Sequence, residues 1–301
     1  MHKPHFRTPA LCALACAVLA AASCAGGAAP KTVSEIQRVA HRGGGALAPE
    51  NTLAAFRAGI DSSAHALELD VHLSADGALV VIHDPDVKRT TDGSGLVADM
   101  TLAELKSLDA GAKFRGPAAG TTGAPGASVP AIAPGRQEIP TLDEVLDLVA
   151  PAEDIGLQVE IKLRADKTRY PGLEAALVGA LRASGLVDRT TVISFDFPSL
   201  AAVRELEPRL RTCALVGKDF FKAAGKAQPD DIARSLASLG VDGAGVREQN
   251  LTPALYRALR AAGLSVGAWT VDDPRRMRQL AALGVDFITS NRPDVLGKTL
   301  Q

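Results

Sequence analysis

Short apolar runs alternate with amphipathic segments along most of this chain. Most of these runs are apolar throughout, as is typical of parallel strands that are covered on both faces. Helical patterns lie between most of them, so the chain is predicted to consist of repeated βα units. The nine predicted strands are residues 37–41, 66–72, 78–82, 157–162, 191–195, 212–216, 241–246, 265–271 and 286–289.

Glycines recur where a predicted helix ends and the next strand begins. They are Gly185, Gly240, Gly263 and Gly284, and the last three are 23 and 21 residues apart. Glycine readily takes the left-handed conformation that terminates a helix. A spacing of this length fits one strand plus one helix, so the pattern predicts an α/β fold, a (β/α)₈ TIM barrel.

Nine strands are one too many for such a barrel, and the surplus strand is 78–82. The Asp76–Gly77 pair between two alternating runs is a hairpin signal, so we predict a β-hairpin extension after strand 2. A turn centred on Asp76–Gly77 would set His83 opposite Asp70, whereas a four-residue turn from Ser74 would set it opposite Glu68. Either register returns His83 to the level of the two acids.

Residues 111–135 have no period and are rich in Gly, Pro and Ala. We predict a loop insertion here, on the side of the barrel where active sites lie. The composition is otherwise that of an ordinary globular protein, with 47% hydrophobic and 22% charged residues. The formal net charge of −1 provides no basic field that would favour nucleic acid.

The first residues have the order of an export signal. Basic residues precede an apolar stretch at 10–22, and small residues precede Cys24. We predict a signal peptide over 1–24, a linker over 25–35 and the barrel domain over 36–299. The small residues before Cys24 favour a bacterial lipoprotein signal with Cys24 lipidated; simple secretion and a buried N-terminal helix are the alternatives. The protein is then exported to the cell envelope or secreted, and it meets a membrane only through this anchor.

Acidic residues stand inside two of the apolar strands. Glu68 and Asp70 are one residue apart, so they share one face of the strand. Glu160 occupies a similar run later in the chain. Acids are seldom buried unless something pairs with them, although a sheet with one solvated polar face is the alternative. Three carboxylates at neighbouring strand ends favour a hard divalent cation, Ca²⁺ or Mg²⁺.

Histidines and cations are predicted beside these acids. His41 ends the first strand, and His83 follows the hairpin. Two histidines can act as acid and base near neutral pH. Arg42 and Lys162 would join the metal around a phosphate. Together these groups favour cleavage of a phosphodiester.

The chain resembles the glycerophosphodiester phosphodiesterases over residues 39–293. The resemblance is carried by His41-Arg42-Gly43, Pro49-Glu50-Asn51-Thr52, Glu68-Leu69-Asp70-Val71, His83-Asp84, Glu160-Ile161-Lys162 and Trp269-Thr270. It implies a barrel that binds one divalent metal. It also implies hydrolysis of a small-molecule glycerophosphodiester to glycerol 3-phosphate and an alcohol.

The resemblance also assigns roles by position. It implies that His41 and His83 are the acid–base pair, that Arg42 and Lys162 contact phosphate, and that the metal ligands are Glu68, Asp70 and Glu160. Trp269 either forms the floor of the glycerol site or fills the interior of the barrel. Two other functions stay open: a lysophospholipase D-like phosphodiesterase, in which Phe220 and Phe221 meet an acyl chain, and a non-catalytic lipoprotein that binds glycerophosphodiesters.

Overall fold

The computed structural model describes residues 35–116 and 135–301. The predicted signal peptide, with Cys24, and nearly all of the predicted linker lie outside the described residues, as does most of the predicted loop insertion. Within the two described ranges, no helix is long and apolar enough to cross a membrane.

Eight parallel strands close into a barrel, which confirms the predicted TIM fold. The last strand pairs with the first, and the first with the second, so the sheet has no open edge apart from the added hairpin strand. All nine predicted strands are present, and their ends differ from the prediction by at most two residues. They are β1 (Gln37–Ala40), β2 (Ala66–Leu73), β3 (Leu79–Val81), β4 (Gly156–Ile161), β5 (Thr190–Ser194), β6 (Arg211–Val216), β7 (Gly243–Arg247), β8 (Ser265–Trp269) and β9 (Phe287–Ser290).

Helices follow the strands and cover the outside of the barrel. Thr141 and Glu144 form a reciprocal capping box at the start of the helix that precedes β4. The predicted helix-ending glycines, such as Gly263 and Gly284, have positive φ angles. The helices are α1 (Leu53–Asp61), α2 (Leu102–Lys106), α3 (Leu142–Val149), α4 (Leu173–Ala183), α5 (Phe197–Leu206), α6 (Lys218–Ala224), α7 (Pro229–Ala237), α8 (Pro253–Ala261), α9 (Pro274–Leu283) and α10 (Pro293–Thr299).

The hairpin is present, but both predicted registers are wrong by one residue. Strand β3 pairs antiparallel with the end of β2, with Val71 opposite Val81. The amide of Ile82 donates to the carbonyl of Asp70 at 3.0 Å, so His83 follows at the level between the two acids. The cause is a five-residue connection, in which Ser74 bonds Ala78 through both its backbone and its hydroxyl.

The segment after the hairpin has a small hydrophobic core of its own. Val80, Val87, Val97 and Leu105 are fully buried in it. This cluster is separate from the large one between the barrel and its helices. The hairpin and the turns that follow it are therefore anchored by apolar burial, and they form a fixed wall at the carboxyl-terminal mouth of the barrel.

Candidate active site

Three buried carboxylates meet inside this mouth. Asp70 on β2 lies beside Glu160 on β4, and Glu68 precedes Asp70 by two residues on the same face. Their exposed fractions are 2%, 1% and 7% for Glu68, Asp70 and Glu160. One oxygen from each lies within 4.8 Å of the others. The predicted acids are thus brought together as a group that could hold a metal ion.

The electrostatics of this group fit a divalent cation. Burial, with the negative charge of Asp70, raises the pKa of both Glu68 and Glu160. For Asp70 burial is opposed by Lys162 and other positive groups, and the pKa is lowered. Oδ1 of Asp70 is buried and makes no hydrogen bond to any described residue. Carboxylates that repel one another, with one buried oxygen unsatisfied, are the donor set that Ca²⁺ or Mg²⁺ takes.

Two cations border the acids. Lys162 Nζ donates to Glu160 Oε1 at 2.8 Å and lies 3.4 Å from Asp70 Oδ1. Arg42 Nη1 donates to Glu50 Oε1 at 2.8 Å, and its Nε lies 3.7 Å from Asp70 Oδ2. Within the described part of the chain, this buried Nε has no hydrogen-bond acceptor. Both side chains therefore stay charged, and Arg42 has a donor free for a ligand.

The local backbone at Arg42 explains its orientation. Arg42 has φ 52° and begins a tight turn, and its amide donates to Glu68 Oε2 at 2.7 Å. The amides of Gly44 and Gly45 close this turn on the carbonyl of His41. These glycines thus shape the turn, and their amides are already used within it.

His41 is held from the far end of the chain. Its Nδ1 lies 2.7 Å from Asn291 Oδ1, and Asn291 Nδ2 donates to Asp272 Oδ2 at 2.8 Å. Because the amide oxygen can only accept, Nδ1 of His41 carries the hydrogen and Nε2 has the lone pair. Nε2 lies 3.9 Å from Glu68 Oε2. Burial, assisted by Arg42, lowers the pKa of His41 to about 4, so its ring is neutral at neutral pH.

His83 is held by its neighbour in sequence. Its Nδ1 lies 2.5 Å from Asp84 Oδ1. Burial lowers the pKa of His83, despite the opposing charges of Asp70 and Asp84. A carboxylate accepts, so Nδ1 again carries the hydrogen. The two histidines therefore have the same tautomer, with a free Nε2 on each.

A cavity of about 130 Å³ joins these groups. Both histidines, Arg42, Glu68 and Glu160 line it together with Trp269 and Phe195. Trp269 stacks edge-on against Phe195 at 5.3 Å, and its Nε1 donates to the carbonyl of Gly245. It also packs against the apolar cluster inside the barrel. Trp269 thus lines the cavity and also fills the barrel, while its contact with glycerol stays a prediction.

His72 is close to the site but turned away from it. It is fully buried, with Nδ1 2.8 Å from the Tyr170 hydroxyl and Nε2 3.2 Å from the carbonyl of His83. Both ring nitrogens are therefore occupied. His72 supports the backbone of His83 from behind.

Sequence reasoning missed several polar partners of the site. Asn51, which has φ 58°, donates to Asp70 Oδ2 at 2.7 Å and is buried. It belongs to one of the motifs that carried the resemblance, so a signal existed. Asn291 and Asp272 had no signal apart from their position just after two barrel strands.

Known proteins resemble this chain over most of its length. The sequence profile of the Glycerophosphoryl diester phosphodiesterase family matches residues 41–295. A glycerophosphodiester phosphodiesterase of Caldanaerobacter subterraneus subsp. tengcongensis is 34% identical over 258 residues, which cover 86% of this chain and 95% of that protein. One from Bacillus altitudinis is 34% identical over 259 residues, or 85% of this chain and 94% of that protein.

Solved structures resemble it as well. A phosphodiesterase of Oleispira antarctica, determined in complex with its product sn-glycerol-3-phosphate, has a TM-score of 0.71 and 28% identity, and the match covers 89% of this chain and 99% of that one. A glycerophosphodiester phosphodiesterase from Agrobacterium tumefaciens has a TM-score of 0.66 and 28% identity, and the match covers 87% of this chain and 99% of that one.

Proposed function

This chain belongs to the glycerophosphoryl diester phosphodiesterase family, and from that premise we propose that it hydrolyses glycerophosphodiesters to glycerol 3-phosphate and an alcohol. The observation that supports this most is the group of three buried carboxylates, two of which line one small cavity together with both histidines. The Oleispira antarctica phosphodiesterase, a relative in fold and sequence, binds glycerol 3-phosphate as its product.

We assign the phosphate to Arg42 and Lys162. Both lie against Asp70, and both keep their charge because neighbouring carboxylates outweigh the effect of burial and raise the pKa of each. The free Nε of Arg42 would donate to a phosphate oxygen. Trp269 then presents an apolar wall to the glycerol carbons on the other side of the cavity.

His41 and His83 would move the protons. In the first step the glycerol 2-hydroxyl loses its proton to a free Nε2, its oxygen bonds to phosphorus, and the bond to the alcohol breaks. The leaving alkoxide takes a proton from Nε2 of the other histidine, which must first have bound a proton there from solvent. In the second step water opens the cyclic phosphate, and the two histidines exchange roles. Asn291 and Asp84 keep each Nε2 available for this transfer.

We assign the metal to Glu68, Asp70 and Glu160. When bound, a divalent cation would supply positive charge to the phosphate and make the attacking hydroxyl more acidic. Carboxylate oxygens suit Ca²⁺ and Mg²⁺ alike.

The test is product analysis on a panel of diesters. Purified protein should release glycerol 3-phosphate from glycerophosphocholine or glycerophosphoethanolamine when Ca²⁺ or Mg²⁺ is present, and release should stop when a chelator is added. If the protein binds these diesters with a cation present and releases no product, the non-catalytic binding alternative is correct.

One observation favours a second substrate class. Phe195, at the cavity wall, is 47% exposed, and Phe197, Phe220 and Phe221 form a row of edge-to-face rings after neighbouring strands. This surface would suit the acyl chain of a lysophospholipid, as in a lysophospholipase D-like enzyme. Comparing lysophosphatidylcholine with glycerophosphocholine decides the point, since a Phe220→Ser variant should lose activity on the former alone.

We also propose that the protein is exported and carries lipid on Cys24. The support is the order of basic, apolar and small residues before that cysteine. Labelled palmitate should be incorporated by the natural protein and not by a Cys24→Ser variant. Equal labelling of both would refute lipidation at this residue.

A further inference from the structure

Arg89 contacts both sides of the candidate site through two carboxylates. Its Nε donates to Asp84 Oδ2 at 2.5 Å. Its Nη1 and Nη2 donate to Glu50 Oε2 at 2.9 Å and Oε1 at 2.7 Å. Asp84 in turn binds His83, and Glu50 binds Arg42. An unbroken series of hydrogen bonds therefore runs from a histidine to a phosphate-binding arginine.

The backbone that carries Arg89 is firmly held. Arg89 ends a short 3₁₀ turn whose first residue, Val87, is fully buried in the separate core below the hairpin. Asp86 caps this turn by accepting from the amide of Lys88 at 2.6 Å. The Arg89 side chain is 45% exposed. Its geometry, however, is a two-pronged fork on Glu50, which a single ammonium cannot reproduce.

We call the series of hydrogen bonds that runs from His83 through Asp84, Arg89 and Glu50 to Arg42 the bridge. The bridge also affects the ionisation of its two acids. Burial raises the pKa of Glu50 and Asp84, but the hydrogen bonds and charge of Arg89, together with Arg42 at Glu50 and His83 at Asp84, outweigh it, so the pKa of both acids is lowered. Both are therefore ionised at neutral pH and can only accept hydrogen bonds. Asp84 then requires the hydrogen of His83 to sit on Nδ1, which leaves the lone pair on Nε2.

We propose that Arg89 is a positioning residue that fixes His83 and Arg42 relative to each other through Asp84 and Glu50. Its consequence for catalysis rests on the proposed function, but the bridge itself does not. Loss of Arg89 would leave two neighbouring acids without their shared cation. His83 could then rotate or change tautomer. Glu50 would no longer be held in place, so its hydrogen bond would no longer fix the position of Arg42.

The first test reads the histidine directly. Nitrogen NMR of the imidazole rings distinguishes the two tautomers, and a His83→Gln variant assigns the His83 signals. In Arg89→Met, His83 should lose its predominant Nδ1–H form, while His41, held by Asn291, should keep its own. Arg275→Met is the matched control, because Arg275 is exposed and Asp273 is its one ion-pair partner among the residues that the structure describes.

A second comparison tests transmission across the bridge. Among the described residues, Glu50 forms no hydrogen bond or ion pair with His83, so Glu50→Gln should alter the His83 tautomer mainly through Arg89. We expect a clear change in the natural background and a much smaller one when Arg89→Met is already present. An effect of equal size in both backgrounds would overturn the bridge.

Kinetics on glycerophosphocholine complete the test. Arg89→Met should lower kcat/KM about 10- to 100-fold, as for partners that orient the groups of a site. If Arg89→Met does not fold, Arg89→Lys should fold because it keeps the charge. In Arg89→Lys, His83 should still lose its predominant Nδ1–H form. Lower activity with unchanged His83 signals would mean that Arg89 acts on the substrate, and the proposal would be wrong. If the natural protein cleaves no diester, the proposed function fails, while the NMR comparison still decides the role of Arg89.

Discussion

Replacing Glu68 by Gln should stabilise the metal-free protein and abolish its response to cations. Asp70 and Glu160 each contact Lys162, whereas the one ion-pair contact of Glu68 within the described residues is the neutral His41 at 3.9 Å. Gln has nearly the same shape, and its carbonyl oxygen could still accept from the amide of Arg42, as Oε2 does at 2.7 Å. The substitution therefore removes charge and leaves the packing unchanged.

The size of the gain follows from proton linkage. Burial, with repulsion by Asp70 and Glu160, raises the pKa of Glu68 well above its usual value of 4.5. Above pH 4.5 the unfolded chain releases this proton while the folded protein retains it, so the stability of the natural protein falls as pH rises toward the folded pKa. At pH 7 the cost of keeping the proton is at most about 3 kcal/mol. Gln has no proton to lose, so its gain should approach this value at pH 7 and be small, under about 1 kcal/mol, at pH 5.

Urea unfolding in the presence of a chelator measures this difference. Glu174→Gln is the control, because Glu174 is also buried but lies 3.7 Å from Arg169 and outside the acidic group; it should give no gain. Adding Ca²⁺ or Mg²⁺ should stabilise the natural protein by mass action and leave Glu68→Gln unchanged. A gain of equal size at both pH values, or a loss of stability at pH 7, would refute the account of the acidic group.

Three further results are expected. His41→Ala and His83→Ala should each lower turnover at least about 100-fold and retain cation-induced stabilisation; near-normal turnover in either would remove that histidine from the mechanism. Asn291→Leu should lower kcat/KM about 10- to 100-fold because His41 loses its acceptor, and an unchanged value would mean that His41 is oriented otherwise. Burial raises the pKa of the Cys213 thiol to about 12, so mass spectrometry should find its peptide alkylated by iodoacetamide in urea and unmodified in the folded protein, and rapid labelling of the folded protein would contradict this.

The barrel could be predicted because its signals are local. Apolar runs, capping boxes and helix-ending glycines each act within a few residues, and together they determine the order of the elements. The hairpin register could not be predicted in the same way. It depends on whether the hydroxyl of Ser74 reaches the amide of Ala78, which alternation of side chains does not encode.

The acids of the site were predictable for the same local reason, since Glu68 and Asp70 share a strand face whatever the rest of the fold does. Their partners were not. Asn51 reaches Asp70 through a left-handed backbone conformation. Arg89 reaches Asp84 from the segment after the hairpin, which has its own hydrophobic core. Neither contact follows from the pattern of polar and apolar positions.

The contact of His41 with Asn291 is partly predictable. Closure of the barrel pairs β1 with β9, with Ala40 opposite Ser290, so the residues that follow, His41 and Asn291, must be neighbours although 250 positions separate them. His83 is instead oriented by the hairpin and by the segment after the hairpin. Because one histidine depends on barrel closure and the other on an added segment, changes in that segment should alter His83 and leave His41 in place.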